Sequence, residues 1–439
     1  MAALKFVIPI YIVLFIFYGI KNIKKFLLLT GIVTLPFRTD YTLFGSGQHA
    51  GWTGGIILTL SDISFILLFV YLIIARKDMQ KAQGKLTVPM IFFILSCILS
   101  IINSTAGMLT VFQVFMVAKL FFLCYFVLVN VIETREDLYS VVLFLTISLL
   151  FQGSLACLQF VTGYEFDMFS TGTSGGLLAP VAYWGTLRRV FGTLCKNPNP
   201  FAAYITPLLL LNTALLLGLK QHRNIRFLGS IVGSLALLFS FSRGGWLGFS
   251  FSLLILMLMI VKRQIQPPRL LYYMFFLGLI VIILFFPLIH KRIIADEYRN
   301  SAVSRLPLLK LATNMIVDHP FIGVGANTFA GVVNKYTSLD IQDAYLAQVH
   351  NQYLLLFAET GILGLCSFLW LLIVMFRSAA QCLGRKTDSL VHYIGVGGIL
   401  GLAASVAHMT VDMFNSKPLI GSLFILAAIF SAGNRLAEK

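Results

Sequence analysis

The sequence predicts an all-α, polytopic integral membrane protein with about 12 transmembrane helices, and three observations predict it. Of 439 residues, 58% are hydrophobic and only 11% charged, where a soluble domain carries about 25% charged residues. The mean hydropathy is +0.89. Apolar runs long enough to cross a bilayer recur from one end of the chain to the other. No stretch between them is long enough to fold as a soluble domain, so 1–439 reads as a single polytopic membrane domain.

About 13 apolar segments carry this reading, near 4–20, 23–36, 55–75, 87–102, 110–131, 138–162, 201–219, 226–241, 244–261, 270–289, 351–376, 391–408 and 418–433. The run from Leu4 to Ile20 lacks a strongly basic start and a small-residue cleavage site. It therefore reads as a membrane segment and not as a cleavable signal. The first two segments are short, and twelve crossings result if that pair contains a re-entrant piece. Asn199-Pro200 reads as the N-cap and first residue of the span opening at Phe201. No internal repeat is visible, which weighs against transporter folds built from repeats.

The net charge is +16. In a soluble protein that excess would suggest nucleic acid; here it reflects basic loops beside anionic lipid, and no nucleic-acid partner is expected. One set of loops carries 19 basic residues: Lys21, Lys24, Lys25, Arg76, Lys77, Lys81, Lys85, Arg135, Lys220, Arg223, Arg226, Lys262, Arg263, Arg269, Arg377, Arg385, Lys386, Arg435 and Lys439. The opposite short loops carry only Arg38, Arg243 and Lys417. This bias places the first set in the cytoplasm and two long loops, about 163–200 and 290–350, outside. The six cysteines include no CxxC pair, and neither a disulfide framework nor a metal site is expected.

The 290–350 loop reads as an extracytoplasmic segment with amphipathic helices. Over 301–317 the spacing places Leu306, Leu309, Ala312, Thr313 and Ile316 on one face, on a helix lying at the membrane and interrupted early by Pro307. Gly323-Val324-Gly325 predicts a turn before a second short helix near 327–336. Loops this long in a compact protein are functional or disordered, and the apolar period argues for order.

On the outer side, charge concentrates at a few points. Arg188 and Arg189 precede the span at Phe201, Arg243 sits in the tight FSFSRGGWLGF turn, and Arg305 lies on the amphipathic helix. His350-Asn351 opens a long span, with Gly361 and Gly364 following, glycines that let another helix approach. Asp412 and His408 lie near the last outer loop. Separated arginines with one histidine suit an anionic lipid-linked substrate, because guanidinium pairs its donors onto phosphate oxygens and imidazole takes protons near neutral pH. The plain alternatives are an interfacial histidine, arginines snorkelling to head groups, and Asp412 as a helix cap. Arg243 stands against its alternative, since it lies where the positive-inside bias disfavours arginine. A charge within the bilayer costs about 2.5–3.5 kcal/mol. No paired acidic motif for a divalent ion appears in the outer loops. The intramembrane charges are few, Lys119 among them, which argues against a transporter of the same substrates.

Several of these pieces together resemble the O-antigen ligase family, which includes polysaccharide polymerases. They are Arg189-Val-Phe-Gly192-Thr-Leu with Asn197-Pro-Asn199, Ser242-Arg243-Gly-Gly-Trp-Leu247, Ser304-Arg305, His319-Pro320-Phe-Ile-Gly323-Val-Gly325, and His350-Asn351 with Gly361 and Gly364. They fit the family patterns Arg-x3-Leu and His-[Asn/Ser/Gln]-x9-Gly-x-x-Gly, over about 185–365. The resemblance implies a metal-independent, cofactor-free, inverting glycosyltransferase of the membrane-embedded, GT-C-like class in the bacterial inner membrane, its active site facing the periplasm. It implies an undecaprenyl-diphosphate-linked glycan as donor. The acceptor is lipid A-core in a ligase and a second lipid-linked glycan in a polymerase. It further implies that Arg189 or Arg188, Arg243 and Arg305 bind the diphosphate and that His350 activates the acceptor hydroxyl. Asn351 or a nearby carboxylate would orient the ring, and Asp412, readable also as an arginine partner, is a supporting residue.

Overall fold

A computed structural model describes residues 22–45, 53–75, 85–166, 178–180, 183–184, 187–194, 197–262, 265, 269–294, 305–337 and 348–438. The expected span at 4–20 lies outside them, as do parts of both long loops. The described residues are mostly helical. In chain order α1 is Ile23–Val33, α2 Leu60–Ile74, α3 Thr87–Leu99 and α4 Gly107–Val131. Then come α5 Arg135–Thr162, α6 Pro198–Gly218, α7 Arg223–Phe239, α8 Arg243–Val261 and α9 Arg269–Ile294. The last are α10 Leu306–Asp318, α11 Phe329–Val332, α12 Gln352–Gly384, α13 Ser389–Met409 and α14 Lys417–Ala437. Seven of these, α4, α5, α6, α8, α12, α13 and α14, are long and apolar enough to cross a membrane; α2 and 87–103 are shorter apolar helices.

Three short antiparallel pairs were not anticipated: β1 (Tyr41–Gly45) with β2 (Gly55–Leu58), β3 (Tyr164–Phe166) with β4 (Leu178–Pro180), and β5 (Tyr183–Trp184) with β6 (Leu187–Arg188). The first pair corrects the expected segment 55–75. Thr59 and Asp62 form a reciprocal cap, the Asp62 amide donating to Thr59 Oγ1 (3.2 Å) and the Thr59 amide to Asp62 Oδ2 (2.9 Å). That cap fixes the start of α2 at Leu60 and frees 55–58 to pair as a strand.

The centre of the molecule is α6, buried along almost its whole length and packed on α13. Small residues make that approach possible: a Cβ on Gly397 would meet Leu211, and one on Gly401 would meet Pro207. Around it, α5 packs on α7 and α12 on α13.

Ion pairs tie the helices at one end: Lys24 to Asp137 (2.8 Å), Lys25 to Glu136, Arg135 to Asp388 (2.8 Å) and Arg385 to Glu438 (2.8 Å). All four cations belong to the basic loop set. Asp388 caps the start of α13 and Asp137 lies in the first turn of α5, so the far ends of both helices, at Met409 and Thr162, mark the opposite face of the bundle. Arg226, expected among the loop charges, is instead fully buried inside α7. Its guanidinium lies over the Tyr139 ring at 5.3 Å and donates to the Tyr139 hydroxyl (3.1 Å) and the Gln221 carbonyl.

The 290–350 loop departs from expectation in two respects among its described residues. Pro307 occupies the first turn of α10 and starts that helix, where a missing amide is tolerated, so it does not interrupt it. The buried face of α10 is Leu308, Leu311, Ala312 and Met315, while Leu306 is 59% exposed. That face packs on Phe329, Val333, Leu355 and Ala358, which makes α10 part of a protein core, not a helix floating at the interface.

Candidate functional site

The 189–194 strip is held by two glutamines of α5, one helical turn pair apart. Gln159 Oε1 accepts from the amides of Phe191 (3.2 Å) and Gly192 (3.0 Å), and its Nε2 donates to the Gly192 carbonyl (2.7 Å). Gln152 Oε1 accepts from the Thr193 amide (3.0 Å) while its Nε2 donates to Thr193 Oγ1 (2.8 Å). Gly192 sits at φ +58°, and a Cβ there would lie 2.4 Å from Gln152 Oε1. The strip therefore has one conformation, which fixes where Arg189 emerges.

The two arginines preceding α6 part company here. Arg188 Nη1 donates to the Phe160 carbonyl (3.0 Å) and lies against Gly163, closing the C-terminus of α5. Arg189 is buried, its Nε donating to the Ser240 carbonyl (2.8 Å) and an Nη to Asn199 Oδ1 (2.7 Å). Asn199 has this role because α6 begins two residues earlier than expected: Asn197 caps and Pro198 opens the helix.

The Ser240 carbonyl belongs to the tight turn between α7 and α8. Phe241 adopts φ +48° and its carbonyl accepts from Arg292 Nε (3.2 Å); Ser242 Oγ caps α8 by accepting the Gly245 amide (3.3 Å). Arg243, the first residue of α8, is exposed. A Cβ on the next residue, Gly244, would lie 2.4 Å from the His408 ring, so the first turn of α8 packs against that histidine. Arg189, Arg243 and Arg292 thus converge on one turn.

His350 closes the cluster. Its Nδ1 lies 3.4 Å from Asp412 Oδ1, and the buried His408 places Nε2 3.8 Å from Asp412 Oδ2. Burial opposes the charged form of Asp412, but the hydrogen bond from His350 and the charges of the two histidines outweigh it and hold the carboxyl well below the usual carboxylate range. Asn351 caps α12 by accepting the amides of Tyr353 and Leu354 (3.0 Å each) and donates to the Thr410 carbonyl (3.0 Å). The Phe414 amide donates to Gln352 Oε1 (2.7 Å). Arg305 Nη1 donates to the Val411 carbonyl (3.2 Å), next to Asp412. A small pocket opens on His350 and Asp412 and has Asn197 and Pro200 as its opposite wall, on either side of the asparagine that receives Arg189. The structure brings His350, Asp412, Asn351, Arg305, Arg243 and Arg189 to one end of the bundle, opposite the ion-paired end. Arg188 alone among the expected residues is turned to a different task.

Gly361 does not admit a neighbouring helix. At φ +65° it breaks α12, and the loop after α10 is spliced into the break. The Val324 amide donates to the Ala358 carbonyl (2.9 Å), the Gly325 amide to the Glu359 carbonyl (3.0 Å), and the Ile362 amide to the Pro320 carbonyl (2.8 Å). Glu359, buried, receives the Phe329 amide on Oε1 (3.1 Å). A Cβ on Gly361 would lie 2.2 Å from the Phe321 carbonyl, and one on Gly323 2.3 Å from the Glu359 carbonyl carbon. The spacing from His350 to Gly361 therefore measures the helical length between the imidazole and the loop that carries Arg305.

Sequence reasoning missed Gln152, Gln159, Arg292, Glu359 and the part of His408. A glutamine in the middle of an apolar span is a costly choice, and that cost was the available signal for the first two. The family model described as O-antigen ligase matches residues 228–369. No curated protein matches the chain. The matched span holds Arg243, Arg292, Arg305, His350 and Gly361; the fold adds Arg189, His408 and Asp412 from outside it.

Proposed function

We propose, from the premise that residues 228–369 carry an O-antigen ligase domain, that this membrane protein is a ligase-type glycosyltransferase. It transfers a glycan from undecaprenyl diphosphate to a sugar hydroxyl of lipid A-core, at the outer face of the inner membrane. The observation that carries the reading is the His350–Asp412 pair set beside the arginine-bearing turn.

With Asp412 ionised, His350 donates Nδ1–H to it and keeps Nε2 as a proton acceptor. The acceptor hydroxyl gives its proton to Nε2 as its oxygen attacks the anomeric carbon. The bond from that carbon to the diphosphate oxygen breaks, inverting the centre, and undecaprenyl diphosphate leaves with the electron pair. Asp412 stabilises the imidazolium, which then returns its proton to water. Arg243, Arg189 and Arg305 face the charge growing on the leaving diphosphate, a role suited to guanidinium because it stays ionised and offers paired donors. Arg292, in the last turn of α9, joins them at the turn between α7 and α8. The loop spliced into α12 covers the site and limits attack by water.

The test is transfer by the purified full chain in proteoliposomes, from lipid-linked oligosaccharide to lipid A-core or to a second lipid-linked glycan, with chelator present. The expected product is glycosylated lipid A-core. Growth on the lipid carrier alone would make the protein a polymerase. Undiminished transfer by folded His350→Ala and Arg243→Ala would refute the mechanism.

A further inference from the structure

Arg226 is a fully buried cation that meets only neutral groups. Its guanidinium rests on the Tyr139 ring and donates to the Tyr139 hydroxyl and the Gln221 carbonyl, while its Nε has no hydrogen-bond partner among the described residues. The acids nearest in the fold are engaged elsewhere: Glu136 and Asp137, in the first turn of α5, with Lys25 and Lys24, and Asp388 with Arg135. No carboxylate among the described residues pairs with Arg226. A guanidinium taken out of water without a counter-charge is costly, and buried charges in proteins are paired or hold an ion. Its neighbours add to the excess. Lys220 and Arg223 are exposed, neither pairs with a carboxylate among the described residues, and the stretch 219–239 contains no acidic residue.

The place of that charge is specific. Helical side chains lean toward the helix start, and the Arg226 guanidinium reaches back to the Gln221 carbonyl, so it lies beneath the first turn of α7. His222 holds the N-cap at φ +49° and lends no side-chain hydrogen bond to that turn; its ring lies over Tyr139 instead, centroids 5.9 Å apart. The leading amides of α7 therefore stay open. An open helix start carries partial positive charge and fits phosphate oxygens. Directly after it, Ile225, Phe227 and Leu228 are exposed and apolar. A ligand that places an anion at the helix start and hydrocarbon along this face matches both features.

We infer that this corner, at the ion-paired end of the bundle, binds the phosphate of an anionic phospholipid. The phosphate lies on the open amides of α7 between Lys220 and Arg223, above the Arg226 charge that it balances, and the acyl chains run along Ile225, Phe227 and Leu228. The site stands apart from the transferase chemistry. It anchors one end of α7, and the turn at the other end supplies the Ser240 and Phe241 carbonyls that receive Arg189 and Arg292.

The purified full chain in phosphatidylcholine nanodiscs is titrated with phosphatidylglycerol, with occupancy read by native mass spectrometry and the place of binding by hydrogen exchange. Phosphatidylglycerol is expected to slow exchange over 223–225. Lys220→Gln and Arg223→Gln are each expected to weaken its binding about fivefold, or about 1 kcal/mol. Lys262→Gln removes an exposed basic residue at the same end of the bundle, after α8, and is expected to leave binding unchanged. Arg226→Gln is expected to remove the preference for phosphatidylglycerol over phosphatidylcholine. If that variant does not fold, the Lys220→Gln/Arg223→Gln double variant carries the test, with an expected loss of about 25-fold. An equal loss in Lys262→Gln would mean unspecific attraction to basic loops, and undiminished binding by the double variant would mean no site at this corner; either overturns the inference. Displacement of phosphatidylglycerol by millimolar inorganic phosphate would make the occupant a free phosphate and overturns the lipid assignment.

Discussion

Replacing Gly361 by alanine attacks the splice between α12 and the loop after α10. Two effects add. At φ +65° and ψ −169° the backbone lies in a region essentially reserved for glycine, which costs another residue about 1–3 kcal/mol, and the new Cβ would lie 2.2 Å from the Phe321 carbonyl, which forces the backbones apart. Once parted, α12 straightens and Ile362 recovers the Ala358 carbonyl, while the Val324 and Gly325 amides lose theirs. Val324 is only 2% exposed. Two orphaned buried amides cost about 1–3 kcal/mol each, so the loop is destabilised by at least about 3 kcal/mol. That exceeds what a local segment withstands, and detachment of 319–337 is expected rather than global unfolding. Hydrogen exchange read by mass spectrometry would show protection lost over 319–329 while α6 and α13 stay protected, with transfer falling because Arg305 is no longer held. Gly384→Ala is the control, since nothing lies within 4 Å of a Cβ there. If Gly361→Ala exchanged like wild type over 324–325, the splice would not be holding the loop, and the reasoning would fail.

Three further outcomes are expected. Removing the Gln159 carboxamide with Gln159→Leu strands two backbone amides and a carbonyl, so donor affinity falls with the displacement of Arg189 and the melting temperature drops; Gln159→Glu, which keeps an acceptor oxygen for both amides and loses only the donor to the Gly192 carbonyl, loses less, and equal losses in the two variants would count against positioning through these bonds. His350→Ala removes a general base and should lower turnover by about 10²–10⁴-fold with little change in donor affinity, measured by single-turnover transfer. Because the Asp412 carboxyl is depressed in the folded protein, its stabilisation is present above its unfolded value of 3.8 and is lost as pH falls below it. The melting-temperature advantage of wild type over Asp412→Asn should therefore persist at neutral pH and narrow below about pH 4; an advantage that grew as the pH fell below about 4 would contradict the assignment.

Much of this was legible in the chain because bilayer physics writes long apolar runs, and the seven long helices coincide with expected spans. Asn351 as the start of α12 was readable from the polar pair before a hydrophobic run, and Arg243 from its tight turn. What could not be read were partnerships across the fold. Asp412 lies 62 residues from His350 and was a candidate without a partner. Arg292 fell inside the expected 290–350 loop, and only the Phe241 carbonyl gives it a place. The α10 face was misplaced because periodicity cannot tell a protein core from a membrane surface when both are apolar. The splice at Gly361 rests on backbone groups, which every residue possesses and no pattern advertises.

The two ends of the bundle are fastened by different forces. At one end the pairs Lys25–Glu136 and Arg385–Glu438 are open to solvent, with Glu136 75% and Glu438 65% exposed, and such attraction fades within a Debye length of about 8 Å at physiological ionic strength. At the other end, uncharged carboxamides of Gln152, Gln159, Asn199, Asn351 and Gln352 do the fastening from buried or half-buried positions. Added salt loosens the first kind of clasp and leaves the second alone. In the proposed orientation that salt-tolerant clasp looks outward, toward a medium whose ionic strength the cell does not set, and Arg189 and the start of α12 are held there by groups that do not feel it.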